Sequence, residues 1–291
     1  MKNMNIHKFK RGITPWLFLT PAFIVFGLYS FYPVFYAMYM SLFDWGNLVE
    51  TTFIGFRNYV SLFNDTLFRI SIINTLVYTS AVPFKVVLAL LLATLLNQRV
   101  RGETLYRAVM FFPFAISGVI IGIIWNTMWA PNFGFINAAL TRIGLEGQRW
   151  LIQPEMAMVV VIIVSVWAGL GANLIIFVAG IKGIPREYYE AASIDGASGF
   201  KAFRFITLPC LRPTTVFVTT MAFIGSFRIF DLVYIMTGGG PGNATTTMVQ
   251  FIYIVSFTRF RFGYASAAAM IFFIMLFTLT LMQRRILSRV D

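Results

Sequence analysis

Few residues in this chain could do chemistry, and most of them stand alone. The 291 residues hold one histidine, His7, and one cysteine, Cys210. That excludes a disulfide framework and a cysteine-based metal cluster, and no metal site is expected. Three charged residues, Lys85, Arg228 and Asp231, fall inside long apolar stretches. Charges there are costly in lipid and must face a cavity or a partner. Arg228 and Asp231, at i and i+3, would share one helix face. A proton or ion relay could use Lys85, but Asp231 is the sole carboxylate in any apolar stretch. Pairing with a backbone carbonyl, or snorkelling of its ammonium, is therefore the expectation for Lys85. The glycine-rich segment 238–242 lacks the Gly-Lys-Ser/Thr ending of a phosphate loop. No such loop occurs elsewhere, so the chain is not expected to bind ATP.

The elements that must carry these residues are membrane helices. Hydrophobic residues make up 58% of the chain and charged residues 12%, with a mean hydropathy of +0.78. Soluble domains are about half apolar and a quarter charged. This composition excludes a soluble enzyme, a disordered chain and a free DNA-binding protein, and leaves an integral membrane protein. The net charge of +12 fits cytoplasmic loops rich in Lys and Arg rather than a nucleic-acid partner. Six stretches, near 16–41, 71–96, 106–130, 156–181, 213–236 and 263–282, reach the roughly 20 apolar residues that cross a bilayer. The predicted fold class is thus all-α, with a cytoplasmic tail, 1–15, and one transmembrane domain, 16–291. The basic tail resembles the start of a signal peptide, but the apolar run after it is too long and ends in no small-residue cleavage site. It is read as a retained helix.

Orientation follows from the loops. Fifteen Lys and Arg fall in the tail, 97–107, 182–212 and 283–291, against six in 42–70, 131–155 and 237–262. This bias puts both termini in the cytoplasm, as an even number of spans also requires. Segment 53–63 is short and amphipathic and is expected to lie in the outer interface. No internal repeat stands out.

The stretch 182–212 is too long and too polar for a connector. It runs for about 30 residues where about 4–6 is usual, and it carries eight of the 34 charges. Pro185 can open a helix, Gly196 can stop it, and a second short helix should end before Pro209. Tyr188, Tyr189, Ile194, Phe200, Phe203, Phe205 and Ile206 are too apolar for a free surface and ask for a partner groove.

Within it, Glu190-Ala191-Ala192, three residues, Gly196, nine residues, Ile206, Thr207, Leu208 and Pro209 resemble the EAA loop of binding-protein-dependent ABC importer permeases. The spacing EAA-x3-G-x9-I-x-L-P is met at every position. Segments 19–23, 32–45, 56–59, 106–113 and 237–247 are similar to the carbohydrate-uptake branch, of the MalF/LacF/UgpA type. The likeness covers nearly the whole chain, without the extra helices and large insertion of the maltose permease itself. The resemblance implies a MetI/MalF-like type I importer permease in the bacterial cytoplasmic membrane. It implies that the first loop helix is a coupling helix seated on a separate ATPase subunit.

The resemblance further implies a second permease, two ATPase subunits that use ATP and Mg²⁺, an extracytoplasmic solute-binding protein and a sugar substrate, with no cofactor bound by this chain. It places spans four and five along the pore, which makes Trp167, Gly169, Asn173, Gly225 and Ser226 candidates to meet substrate. Asn173 and Ser226 can bond hydroxyls, and the glycines can leave room for a ring. Ordinary helix packing would use the same small residues, as would the Gly118-x3-Gly122 pair. For Arg228 and Asp231, a structural pair, contact with the second permease and direct substrate contact all remain open. The rival classes are a self-sufficient secondary transporter, which would need an ion site, and a membrane enzyme, which would need a catalytic dyad in the spans.

Overall fold

A computed structural model describes residues 16–46, 49–96 and 102–288; the expected cytoplasmic tail, with His7, lies outside the described residues. The chain divides into two compact units, 1–64 with 252–273 and 65–251 with 274–291.

In the first unit, helix α1 (Trp16–Met40) coincides with the first expected span, and none of its apolar window is buried within the chain. Such a surface can be covered only by lipid or another chain. A β-hairpin follows, β1 (Phe43–Gly46) with β2 (Val49–Phe53), pairing Phe43 with Phe53 and Asp44 with Thr52. The sequence reading contains no strand. The amphipathic segment expected over 53–63 becomes helix α2 (Arg57–Asn64). From α2, the Asn58 amide donates to the carbonyls of Ser41 and Phe43, each at 2.9 Å. Gly46 bridges to Arg261, and a Cβ on Gly263 would strike the Phe43 carbonyl. Glycine at 263 thus lets the hairpin lie against the helix that begins there.

The second unit begins with α3 (Thr66–Thr79) and α4 (Val82–Leu96), which together form one apolar stretch, Thr66–Leu96. It starts ahead of the expected Ser71 because the Asp65 carboxylate accepts the N–H groups of Leu67 and Phe68 at 2.8 and 3.2 Å, a helix cap. The third expected span, 106–130, is not one helix. It is α5 (Glu103–Ala115) and α6 (Gly118–Met128), bent by 104°. Pro113 removes a ladder bond, Ile116 is extended, and the Ser117 hydroxyl accepts the Val119 N–H to start α6. A short helix, α7 (Phe135–Arg142), leads to α8 (Pro154–Lys182), which matches the fourth expected span.

Helix α8 organises the core. Its Leu170, Leu174 and Phe177 pack with Val86, Ala89 and Leu90 of α4, while its Val160, Val161 and Val164 join Ile121 of α6. A Cβ on Gly171 would meet the Met110 carbonyl, so α8 and α5 cross backbone to backbone.

The loop 182–212 folds as α9 (Arg186–Ile194) and α10 (200–210). Contrary to expectation, α10 does not end before Pro209. A wide π turn at Phe203–Thr207, in which the Leu208 N–H bonds the Phe203 carbonyl, precedes the proline, and the helix runs on through Cys210. The fifth expected span, 213–236, also divides, into α11 (Arg212–Phe227) and α12 (Asp231–Met236). At 1.5 Å per residue α11 reaches about 24 Å, short of a ~30 Å hydrocarbon layer. Among the described residues four single helices are long and apolar enough to cross, five with the bent pair, so length and composition do not yield the expected six. The connector after α12 contains an unexpected helix, α13 (Met248–Thr258), and α14 (Phe262–Ser288) follows.

The glycine-rich segment before α13 is a self-bonded turn. Thr245 Oγ1 donates to the Gly240 carbonyl at 2.9 Å and Thr246 Oγ1 to the Gly239 carbonyl at 3.1 Å. The Asn74 amide ties it to α3 through the carbonyls of Asn243 and Thr246, both at 3.0 Å.

Candidate functional site

Four of the five pore candidates meet around one cavity. On α8, Gly169, Ala172, Asn173 and Ile176 fall on one face, the i, i+3, i+4, i+7 pattern. Met221, Ala222, Gly225 and Ser226 of α11 face them, and Tyr78, Lys85 and Phe114 complete the wall of a cavity of about 300 Å³. The glycines here are not packing residues. A Cβ added to Gly169 or Gly225 would meet nothing within 4 Å. By contrast, one on Gly122 would meet Ile235 at 2.9 Å and one on Gly180 would meet Leu211 and Thr214 at 2.9 Å. Small residues that close helices together and small residues that leave space are thus separable. Gly118 and Gly122 belong to the first kind, against Asp231 and Ile235 of α12. Asn173 and Ser226 make no side-chain hydrogen bond to any described residue, which leaves an amide and a hydroxyl for whatever occupies the cavity.

Trp167 is the exception. It stands about 200° around α8 from Gly169 and does not line the cavity. Its ring lies 5.3 Å from that of Trp125, in a separate recess with Met110 and Pro113. Arg228 and Asp231 also depart from expectation. Arg228 caps the end of α11 and Asp231 starts α12, so the break between the helices removes the shared face. No ion pair joins them among the described residues. Lys85 is where sequence reading gave least. It is 7% exposed, lines the cavity, and holds its ammonium 4.9 Å from the centroid of the Tyr78 ring, a cation–π contact. It neither snorkels nor bonds a backbone carbonyl.

The second constellation is the α9–α10 unit. Helix α9 ends in a Schellman cap: the Gly196 N–H bonds the Ser193 carbonyl at 3.2 Å and the Ala197 N–H the Ala192 carbonyl at 2.8 Å. Gly196 has φ +74°, which L side chains adopt at a cost. The Tyr189 hydroxyl and Thr207 Oγ1 lie 2.9 Å apart and join the two helices. Tyr189, Phe203 and Ile206 pack on the core beside α8, so these three need no outside partner. Tyr188, Ile194, Phe200 and Phe205 remain exposed, Ile194 at 88%. Glu190 and Ala191 are exposed, Ala192 is buried, and Leu208 and Pro209 are exposed. Glu190 also borders a groove of about 670 Å³ with Lys182, Arg186 and Ser193. The Tyr189–Thr207 bond was missed in sequence because position 207 is free in the motif.

Residues 85–291 match the family described as binding-protein-dependent transport system inner membrane component. That stretch includes the α9–α10 unit and every cavity-lining residue but Tyr78. This chain belongs to that family. It is an ABC transporter permease subunit of the inner membrane, not an enzyme, and the ATPase of such systems is a separate subunit. The permease is 37% identical over 94% of its length to a probable ABC transporter permease protein, YurN, of Bacillus subtilis, covering 95% of that protein. It is 34% identical to the lactose transport system permease protein LacF of Rhizobium radiobacter, over 93% of each chain. A chain in the crystal structure of a bacterial alginate ABC transporter, complexed with an alginate pentasaccharide-bound periplasmic protein, superposes with a TM-score of 0.84. It is 25% identical, over 95% of the permease and 94% of that chain.

A first test addresses the cavity's polar groups. Losing one hydrogen bond costs about 0.5–1.5 kcal/mol net. Asn173→Ala or Ser226→Ala is therefore expected to weaken apparent substrate affinity of the permease several-fold, with the affinity of the soluble binding protein unchanged. Unaltered uptake kinetics in both variants would remove them from the substrate path.

Proposed function

We propose that this permease forms the translocation path of a sugar importer with a second, related permease, two ATPase subunits and an extracytoplasmic solute-binding protein. The observation that carries the reading is the cavity: two polar groups without a side-chain hydrogen bond to any described residue stand beside two glycines that leave room. Sugar is the favoured cargo because hydroxyls suit such groups and because the similar LacF is named for lactose transport. The polypeptide crosses the membrane six times in this reading, with α3–α4, α5–α6 and α11–α12 each counted as one broken crossing. Both termini and α9 face the cytoplasm, on the fifteen-to-six loop charge count. ATP with Mg²⁺ acts in the partner ATPase, and this chain binds no cofactor. Closure of the ATPase pair would move α9, and through the Tyr189–Thr207 bond and α10 it would turn α11 and the cavity outward.

The test is reconstitution. Vesicles holding both permeases and the ATPase, with binding protein outside and ATP inside, should accumulate at least one of three radiolabelled sugars: a neutral disaccharide, glucuronate or glucose 6-phosphate. The chain alone should not, with ATP or with a sodium or proton gradient. In the same vesicles, with Cys210→Ser, an impermeant thiol reagent outside should label Gly242→Cys, and should label Ser198→Cys only after lysis. Gradient-driven uptake by the chain alone would favour the secondary transporter, and reversed labelling would invert the orientation.

A further inference from the structure

We propose that the cavity takes an anionic sugar derivative, with Lys85 binding its carboxylate or phosphate. The proposal rests on the cavity being the substrate path. A lysine ammonium carries three donors and no acceptor, and burying one is expensive unless it is paired. Lys85 is 7% exposed, yet it forms no hydrogen bond or ion pair with any described residue. The Tyr78 ring, its centroid 4.9 Å from the ammonium, can face a cation but cannot neutralise it.

The walls around the ammonium supply no counter-charge. Helix α3 contributes Tyr78, α5 contributes Phe114, and α8 and α11 contribute Asn173 and Ser226 among small and apolar residues. No carboxylate lines the cavity among the described residues. No described residue supplies the anion, and the unit has a place for one from outside. At about 300 Å³ the space lies at the low end of the roughly 300–1,000 Å³ of small-molecule sites. A neutral sugar entering it would strip water from the ammonium and return no charge. A uronate or sugar phosphate would return one, in a charge-assisted bond, while Asn173 and Ser226 bond its hydroxyls. Lysine acts as a point charge, so both anions suit it.

The experiment uses the assembled complex in vesicles, with Cys210→Ser and Ala172→Cys, a position on the cavity wall. The thiol is challenged with an anionic sulfonatoethyl and a cationic trimethylammonioethyl methanethiosulfonate. A buried positive charge should raise the anionic-to-cationic rate ratio on the order of tenfold above that of a free thiol. Lys85→Met should return the ratio to the free-thiol value, and Lys85→Arg should keep it raised. Protection of the thiol is then compared for glucuronate, glucose 6-phosphate and glucose. Stronger protection by glucuronate identifies a carboxylate substrate, and by glucose 6-phosphate a phosphate. A free-thiol ratio in the parent, an unchanged ratio in Lys85→Met, or glucose protecting as well as both anions overturns the proposal and leaves the substrate path standing. No reaction with either reagent overturns the substrate path and the proposal together.

Discussion

Gly196→Pro should leave the permease in the membrane and reduce ATP-driven uptake to background. The cause is local. Gly196 has φ +74°, a region closed to proline, whose ring holds φ near −65°. Its N–H also closes the turn onto the Ser193 carbonyl, and proline has no N–H. The end of α9 must therefore unwind, and the exposed Ile194 beside it loses its position. Gly196→Asn is the control, since asparagine tolerates the left-handed region better than other side chains. It should retain most uptake. Glu190→Lys tests the surface rather than the backbone. It reverses the charge of an exposed residue at the groove rim without touching the cap. It should lower uptake and co-purification of the ATPase while membrane insertion stays normal. Wild-type uptake in both Gly196→Pro and Glu190→Lys would remove α9 as the coupling element.

What the sequence made legible follows from how local each signal is. The α9 cap is local: Gly196 lies just past a run of good helix formers, and the stop was readable from residue type. The fourth span was readable for the same reason, an unbroken apolar run ahead of Lys182. The broken crossings were not. Hydropathy averages over Pro113 and Ser117, and over Arg228, because the residues on either side are apolar whether or not the backbone turns. The hairpin Phe43–Phe53 was hidden because its pairing depends on Asn58 and Arg261, the latter far along the chain.

The cavity shows the same division. Asn173 and Ser226 were nominated through likeness to a family, and the helix period then explains why Asn173 shares a face with Gly169 and Trp167 does not. Lys85 could not be placed from sequence. Its orientation depends on where α4 meets α3 and α8, and α4 is apolar on every side. A cation in such a helix gives no clue to which neighbour it turns toward until the neighbours are known. Conversely, the likeness between Gly169 and Gly171 in sequence conceals opposite roles: one borders empty space and the other a backbone.

That contrast yields the largest expected loss of stability. Gly171→Leu should prevent the second unit from packing, at a cost of about 3 kcal/mol or more, the upper range for overfilled cores. A Cβ at 171 would meet the Met110 carbonyl, the Phe111 Cα at 2.8 Å and the Met110 carbonyl carbon at 3.1 Å. These are backbone atoms and cannot rotate away, so α5 must move off α8 and lift Met110 from the core cluster that holds Leu170. Membrane helices cohere by close packing rather than by exclusion of water, so the gap cannot be offset by burying apolar surface elsewhere. Gly169→Ala, two residues away on the same helix, meets open space. It should be neutral or gain about 0.5–1 kcal/mol from the better helix former. The measurement is the fraction of detergent-solubilised permease that stays monodisperse after heating. Gly171→Leu should lose that fraction at a much lower temperature than the parent, and Gly169→Ala should not. Equal midpoints for the two variants would mean that α5 and α8 do not cross at Gly171, and the cavity wall built on that crossing would have to be redrawn.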